Sequence, residues 1–400
     1  MASDIFKKQL RFYRNSVGIL VTLMSLLAAS TPVQSEEPKP DQKLFTAAAF
    51  GPDGRLWRVV PSQYAVAVDF SLDYGKTFSE PTRINPKTQP MNFWDENPPS
   101  ISVDKQGKVN VLYFADDKQD FTSYFSQSDD GSHFSEPVKV SSKADTNVHY
   151  QTEMVTDSQG KVHFLWHDDR DAEEYKKSGG GDLSIYYVTI DPKHSGSLPT
   201  DRRIAQNICS CCRSAMALDV EGLPVVFARF VYPVNIRDHG MIKLTADGSH
   251  SQPWRVTYDD WKIEGCPTHG PALAISNDGR YHVTWFSQGK AQSGLFYAYS
   301  DDNGKSFSHP FSIGHPDKLP GRADVMALGK RVAVVWKEFD GIITRVQAMR
   351  SDDGGKRWSS PKMMAETTSV SAHPALINDG ERLFLTWSSA DMGFQLLRVD

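Results

Sequence analysis

The chain has 400 residues, of which 39% are apolar and 11% aromatic, and it carries a formal net charge of −5 at pH 7. This length fits one large domain or two ordinary ones. The weakly acidic charge and the lack of a basic stripe argue against nucleic acid as a partner.

Residues 1–35 have the composition of a secretory signal peptide. Four basic residues within the first 14 positions precede an apolar stretch from Val17 to Ala29, and small or tolerated residues follow up to Ser35. An uncleaved membrane anchor is the alternative, but the apolar stretch is short for a membrane span. Cleavage would remove four positive charges and one negative charge, which leaves a mature charge of −8. We therefore expect an exported protein, periplasmic or extracellular, without stable membrane insertion after cleavage and with residues 36–42 as a flexible leader.

Seven glycine-led strands follow along the rest of the chain. In each, a turn glycine precedes an apolar run rich in β-branched and aromatic residues with the period-two alternation of a β-strand. Successive glycines lie 50 to 62 residues apart, and this regularity is typical of repeat architectures whose modules of four short strands form the blades of a β-propeller. The seven glycines are Gly54, Gly107, Gly160, Gly222, Gly279, Gly329 and Gly380.

The seventh module is short. It offers strands only near residues 372–377, 383–387 and 394–399 before the sequence ends. A ring of blades must hide its seam, because an unpaired strand edge can pair with another chain. We expect Lys43–Phe45 to supply either the missing strand of the seventh blade or the first strand of the first blade.

An eight-residue turn occurs four times, at Ser71–Phe78, Gln127–Phe134, Ser300–Phe307 and Ser351–Trp358. Its short acidic side chain can accept hydrogen bonds from the backbone N–H groups just ahead of it, and its glycine takes a positive φ. These turns resemble the Asp box, or BNR repeat, of the sialidase superfamily, as found in exported bacterial proteins. The resemblance implies an all-β, sialidase-like β-propeller formed by residues 43–400 as one domain; we favour seven blades, with six as the alternative because sialidases proper have six. The structural residues of the four boxes are Asp73, Gly75, Asp129, Gly131, Asp302, Gly304, Asp353 and Gly355.

Polar, aromatic and reactive residues lead into the innermost strand of each module. In a propeller that strand runs beside the central axis, so the side chains just before it surround one mouth of the central channel. Their recurrence at one register predicts a ligand site at that mouth. The predicted ligand-binding residues are Trp94, Asp95, Glu96, His149, Arg237, Trp261, His269 and His373.

The sialidase resemblance also implies an activity, glycoside hydrolysis. That family grips a carboxylated sugar with three arginines, because guanidinium pairs with carboxylate through two parallel hydrogen bonds, and it uses a Tyr nucleophile helped by Glu, with an Asp as the acid. The family's Arg-Ile-Pro motif is missing, and its nearest echo, Arg58-Val-Val-Pro61, lies too close to Ser71 for the usual layout. The sequence therefore leaves open whether the chain is an enzyme; if it is one, it is a sialidase-like hydrolase. The residues assigned to that chemistry are Arg213, Arg322, Asp324, Tyr150 and Glu264, with Arg237 as a further grip on the anion.

All four cysteines fall in two adjacent modules. In an exported protein cysteines are by default in disulfides, and a bridge between the fourth and fifth blades is the natural pairing. Thiolates beside imidazoles also suit copper or zinc, so a metal site is the alternative, and no other cofactor is expected. The cysteines are Cys209, Cys211, Cys212 and Cys266.

These features favour an exported propeller that recognises a polar or anionic ligand, such as a glycan, at its channel mouth. A periplasmic metal-binding or redox propeller that uses the four cysteines is one alternative. A non-catalytic scaffold for protein partners is another, because propellers commonly bind partners without doing chemistry. The sequence predicts no oligomeric state.

Overall fold

A computed structural model of the chain describes residues 41–117, 120–142, 149–173, 183–191 and 200–400. The predicted signal peptide and most of the predicted leader lie outside these residues. Within them, no helix is both long and apolar enough to cross a membrane.

The described residues form seven antiparallel sheets, one per predicted module. In each sheet the strands follow the chain in order from the inner to the outer edge. Blade one has strands β1 to β4, at Ala47–Phe50, Leu56–Pro61, Val66–Ser71 and Thr82–Arg83. Blade two has β5 to β8, at Ser100–Val103, Val109–Asp117, Asp120–Ser128 and Val138–Lys139. Blade three has β9 to β12, at His149–Thr156, Val162–Asp168, Leu183–Ile190 and Arg202–Ile208.

The remaining blades repeat this arrangement. Blade four has β13 to β16, at Ala215–Leu218, Pro224–Arg229, His239–Lys243 and Trp254–Arg255. Blade five has β17 to β20, at Ala272–Ile275, Tyr281–Gln288, Ser293–Ser300 and Phe311–Ile313. Blade six has β21 to β24, at Gly321–Leu328, Arg331–Phe339, Thr344–Ser351 and Lys362–Thr367, and blade seven has β25 to β27, at Ala375–Asn378, Leu383–Ser389 and Gly393–Arg398. Three short 3-10 helices occur at Gln42–Phe45, Pro233–Asn235 and Pro316–Lys318.

The second strand of each blade carries most of the core. β10, β14 and β26 are buried along their whole length, because each lies in the middle of a sheet that packs against a neighbouring sheet on both faces. This is why their sequences read as nearly continuous apolar runs rather than as strict alternation. The indoles of Trp166, Trp336 and Trp387 are among the largest fully buried side chains, and each lies on the second strand of its blade.

The ring closes through its innermost strands. β1, β5, β9, β13, β17, β21 and β25 each lie beside the next, and β25 lies beside β1. The prediction of an all-β propeller with seven blades is therefore confirmed, and the six-bladed alternative is wrong.

The seam lies between the seventh and first blades, and no strand among the described residues closes it. Gln42–Phe45 forms a 3-10 helix that is capped by Asp41 and lies beside β2, β26 and β27. The expectation that Lys43–Phe45 is a strand is therefore wrong. Leu44 and Phe45 are buried, so this helix fills the seam by side-chain packing.

The four repeated turns follow the third strands of blades one, two, five and six. In the first copy, the Ser71 hydroxyl donates to Asp73 Oδ1 at 2.7 Å and accepts from the Gly75 N–H at 2.8 Å, and Asp73 Oδ1 accepts from the Thr77 N–H at 2.9 Å. The hydroxyl and N–H of Thr77 lower the pKa of Asp73 to about 2. The residues Asp302 and Asp353 make the corresponding bonds.

The second copy of the turn departs from the prediction. Asp130, not Asp129, accepts from the Ser128 hydroxyl and from the His133 N–H, at 3.0 and 2.8 Å. Asp129 instead forms an ion pair with Lys108 at 2.7 Å. The reason is that this copy has one residue fewer between its serine and its glycine, which shifts the carboxylate by one position.

The turn glycines dock each blade onto the preceding one. A Cβ at Gly355 would lie 1.7 Å from the hydroxyl of Tyr297 in blade five, and a Cβ at Gly131 would lie 2.1 Å from the indole of Trp57 in blade one. Trp358 packs edge-on against Tyr297, with ring centroids 4.7 Å apart. The turns therefore seal the grooves between blades at the outer rim and do not face the channel.

Candidate functional site

An ion pair crosses the ring between loops of opposite blades. Arg322, at the start of β21 in blade six, donates to Glu96, in the loop before β5 of blade two, at 2.5 Å. Arg322 also contacts the Thr268 hydroxyl of the blade-five loop at 3.3 Å. Glu96 is buried, and Arg322 has a φ of 57°, a strained conformation for a residue with a long side chain. The loops that lead into the inner strands therefore converge on one mouth, as the sequence predicts.

Arg213 lies beneath this pair, in the loop before β13. Four carboxylates act on its charge, those of Glu153, Glu96, Asp324 and Asp95. Burial lowers the pKa of Arg213, but these carboxylates outweigh it, so the pKa stays above its ordinary value. Within the described part of the chain, the Arg213 guanidinium makes no hydrogen bond and no ion pair closer than 4 Å.

Gly270 shows how tightly these groups meet. A Cβ on Gly270 would lie 2.3 Å from Arg213 Cγ and 3.2 Å from Glu96 Oε2. Loops from blades two, four and five therefore touch at this glycine, and any larger residue would displace the arginine.

Glu153, on β9, belongs to the same cluster of charged groups. Burial raises its pKa to about 7; nearby Asp324 and Glu96 add to the rise, and Arg213 opposes it. A carboxyl group with this pKa is present in both protonation states near neutral pH, which is what general acid–base chemistry requires.

Asp324 has a structural role in the same cluster. Its two oxygens accept hydrogen bonds from the backbone N–H groups of Val325 and Leu376, at 2.9 and 2.7 Å. The carboxylate thereby clamps blade seven to blade six. Burial nevertheless raises the pKa of Asp324.

His373 and Asp95 complete the mouth on the side of the seam. His373 Nε2 lies 3.5 Å from Asp95 Oδ2, and burial holds the pKa of His373 well below its ordinary value, so the imidazole is neutral at pH 7. Both residues, together with Arg213, line a cavity of about 110 Å³ whose far wall includes Phe45 of the seam helix.

Three polar atoms at or near the mouth are buried without a hydrogen-bond partner among the described residues: Glu96 Oε2, Gln151 Oε1 and His269 Nδ1. Gln151 has a φ of 54° and is held through its own N–H, which donates to Asn97 Oδ1 at 2.6 Å. His269 stacks on Phe286 with ring centroids 4.0 Å apart, and burial lowers its pKa to about 2. Buried polar atoms are nearly always satisfied, so these three are available to a ligand or to water.

Three of the four cysteines, Cys209, Cys211 and Cys212, form a second cluster before blade four, and Cys266 of the blade-five loop interacts with Cys211. All are free thiols in the structure, so the predicted disulfide is not present. Cys209 Sγ lies 3.8 Å from Cys211 Sγ and 3.6 Å from Cys212 Sγ. Arg237 donates to Cys209 Sγ at 3.3 Å, so it serves this cluster and is not the predicted third grip on an anion.

Among the described residues, Trp261 and Glu264 make no hydrogen bond to the charged groups at the mouth. Trp261 is buried between Phe286 and Arg229 and has a packing role. Glu264 is exposed and makes no ion pair or hydrogen bond with described residues. Trp94 is half-buried in the loop that carries Glu96.

Three further positions need separate mention. His149 and Tyr150 begin β9, but their side chains lie outside the part of the chain that the structure describes. Arg58, the echo of the missing sialidase motif, pairs with Asp69 at 2.7 Å and lies 3.2 Å from the ring centre of Phe78. It therefore supports the first turn and not the mouth.

Lys337 is a channel residue that the sequence did not reveal. It lies near the end of β22, where burial lowers its pKa, and it donates to the carbonyls of Ser371 and Ala372 at 3.0 and 3.3 Å. Its signal is a lysine directly after the buried run Val332–Trp336. Such a charge in a central strand is uncommon unless it is paired.

Solved structures resemble this chain in fold at low sequence identity. A lectin from Burkholderia pseudomallei, BP39L, has a TM-score of 0.63 at 13% identity, covering 88% of this chain and 93% of that one. An ulvan lyase of polysaccharide lyase family PL25, bound to -[GlcA(1-4)Rha3S]-, has a TM-score of 0.58 at 10% identity, covering 88% and 91%. The Hadza microbial sialidase Hz136 has a TM-score of 0.51 at 13% identity, covering 85% and 74%.

No protein-family model matches the sequence, and no curated protein matches it. At these identities the structural likeness shows the propeller fold and no more. What the chain does must therefore be argued from the groups at its mouth.

Proposed function

We propose that the chain binds an acidic glycan at the mouth of its central channel. The observation that carries this proposal is Arg213, a guanidinium held among loops of several blades that makes no ion pair closer than 4 Å with the described residues. A guanidinium placed in this way suits a carboxylate or sulfate, with which it forms two parallel hydrogen bonds.

The surrounding groups fit a saccharide better than a simple anion. Gln151 Oε1 and His269 Nδ1 lack partners, and sugar hydroxyl groups both donate and accept hydrogen bonds. The partly exposed ring of Trp94 adds an aromatic surface in the loop that carries Glu96. Three solved propellers of similar fold are named as a lectin, a lyase bound to a uronic-acid saccharide and a sialidase, which supports a glycan as the class of ligand.

The proposal is tested by calorimetry with uronic-acid oligosaccharides and their neutral counterparts. Arg213→Gln should weaken binding of the acidic ligand by about 30-fold or more, because truncating one partner of a buried charge pair costs about 2–5 kcal/mol. Arg345→Gln is the matched control, since Arg345 pairs with Asp340 and Glu366 on blade six and should leave binding unchanged. Equal affinity for neutral and acidic ligands, or no binding of any acidic glycan, would refute the proposal.

Glycoside hydrolysis is the second candidate function, and Glu153 is the observation that favours it. Its pKa of about 7 suits a general acid at neutral pH. Turnover of a fluorogenic sialoside or related glycoside should then be lost in Glu153→Gln while ligand binding is retained. Absence of turnover across a broad glycoside panel would eliminate this candidate and leave binding as the function.

We also propose that the protein is exported and that its four turns are Asp boxes. The basic and apolar character of residues 1–35 supports export, and the bonds around Asp73, Asp130, Asp302 and Asp353 support the second statement. Mass spectrometry of protein recovered from whole cells should find a new N-terminus near residue 36. An intact N-terminus on the recovered protein contradicts export by this route.

A further inference from the structure

Three sulfur atoms meet within one tight loop. The Sγ atoms of Cys209, Cys211 and Cys212 all lie within 4.8 Å of one another. The loop is held by backbone bonds on both sides: the Cys209 N–H donates to the Arg229 carbonyl at 2.9 Å, and the Cys212 N–H lies 3.5 Å from the Cys209 carbonyl. The thiols are thus gathered by the fold of the loop itself.

Their spacing is that of ligands around a tetrahedral ion. A tetrahedral thiolate site with metal–sulfur distances of about 2.3 Å has sulfur–sulfur edges of roughly 3.8 Å. The observed separations from Cys209 are 3.8 Å to Cys211 and 3.6 Å to Cys212. A disulfide would instead need two of these sulfurs to approach to about 2 Å.

Cys266 supplies a fourth sulfur from the neighbouring blade. It lies in the loop before β17, and its thiol interacts with that of Cys211. Cys266 is exposed, whereas Cys209 and Cys212 are buried. The cluster therefore has three ligands on one fixed loop and a fourth at the surface, where an ion can enter.

Two arginines balance the negative charge that thiolates would bring. Arg237 donates to Cys209 Sγ at 3.3 Å and is itself held by Asn235 Oδ1 at 2.9 Å. Arg229 is buried, and its guanidinium donates to the carbonyls of Arg237 and Phe286. Both guanidinium groups lie close enough for their positive charge to act on the Cys209 sulfur. Such supporting donors are a regular part of metal sites.

We propose that Cys209, Cys211, Cys212 and Cys266 bind one thiophilic d¹⁰ cation, Zn²⁺ or Cu⁺. Thiolate ligands select these ions, and each cysteine that coordinates releases its proton to solvent. The site is separate from the glycan-binding proposal, because none of its ligands is needed to bind the anion. It would nevertheless fix the backbone next to Arg213, which follows Cys212 directly.

The experiment uses the full chain, purified anaerobically without chelator. Metal content is measured by mass spectrometry, and the reduced, metal-free chain is then titrated with Zn²⁺ and, in a separate arm, with Cu⁺ against a competing chelator. One equivalent of either ion, with all four thiols protected from a thiol reagent, supports the proposal and identifies the ion. Titration with Co²⁺ should give the intense visible bands of a tetrahedral thiolate complex.

Substitutions distinguish metal binding at this site from adventitious metal binding elsewhere on the surface. Cys211→Ser and Cys266→Ser should each weaken binding by more than the roughly 10–100-fold that loss of a supporting hydrogen bond causes, and Arg237→Gln should fall within that range. Cys266 is exposed, so its variant should fold even if Cys211→Ser does not. His315→Ala, which removes an exposed imidazole on another loop, should have no effect. The proposal is overturned if both single variants, Cys266→Ser and Cys211→Ser, take up the metal ion undiminished. It is also overturned if the reduced parent chain takes up neither ion.

Discussion

Replacing Glu153 by Gln should make the stability of this protein less dependent on pH. Burial raises the pKa of this carboxyl group from 4.5 to about 7 in the folded protein. Between those values the folded state holds a proton that the unfolded state has lost, so the free energy of unfolding falls as pH rises through this window. At about 1.4 kcal/mol per pKa unit, the full penalty above pH 7 is roughly 3 kcal/mol.

Glutamine removes that penalty because it has the shape of the protonated acid and does not ionise. Urea unfolding at a series of pH values should therefore give equal stabilities for the two proteins near pH 3, where Glu153 is protonated in both states. Near pH 8 the variant should be more stable by up to about 3 kcal/mol. Glu264→Gln, at an exposed position, is the control and should follow the parent protein throughout.

The way in which the difference in unfolding free energy between parent and Glu153→Gln changes with pH tests this reasoning. A difference that is constant with pH, or that grows towards acid, would show that Glu153 is ionised at neutral pH and would refute the reasoning. A carboxylic acid C=O band that titrates near pH 7 in the infrared spectrum, and that is missing in Glu153→Gln, provides an independent check.

Three further predictions concern packing and the mouth. Gly355→Ala should lower the free energy of unfolding by more than Gly380→Ala does. Both glycines have a positive φ, but only a Cβ at position 355 would lie against Tyr297. In urea unfolding we expect a loss of about 1 kcal/mol for Gly380→Ala and at least twice that for Gly355→Ala. Equal losses would show that the turn does not dock on blade five. Glu96→Gln should destabilise by at most about 3–5 kcal/mol, because it leaves the partly buried Arg322 guanidinium without its carboxylate partner. Glu96→Gln combined with Arg322→Met should recover most of that loss, and a double variant as unstable as the sum of the single ones would contradict this pairing. Gly270→Ala should abolish acidic-glycan binding by displacing Arg213 while far-ultraviolet circular dichroism is unchanged, and retained affinity would contradict the proposed position of the ligand.

The number and order of the blades could be predicted from the sequence because each blade repeats one physical constraint. A tight turn with a positive-φ glycine must precede a strand that is buried on both faces, so the glycine and the apolar run recur together, as at Gly160 and β10. The second turn shows where the pattern fails, because the sequence predicts Asp129 as its carboxylate and the structure has Asp130 in that role. A turn that is shorter by one residue keeps its hydrogen bonds only if the carboxylate moves by one position.

The site was harder to predict than the fold. The convergence of Glu96, Arg213 and Arg322 follows from their register at the loops before inner strands. Trp261 shares that register but turns into the blade, where Phe286 and Arg229 enclose it, and nothing in its neighbours along the chain signals this. Lys337 reaches the channel from a second strand, so no rule based on inner strands could include it.

The three-stranded seventh blade has a mechanical consequence. Where a propeller is latched by a strand shared between its two ends, the ring opens only if a full set of backbone hydrogen bonds breaks at once. Among the residues that the structure describes, no strand is shared in this way, and Leu44 and Phe45 hold the join by apolar contact, which weakens gradually as side chains separate. Under stretching force or mild denaturant this ring should therefore part first at that join, and the sheets on either side should peel away in sequence from both ends.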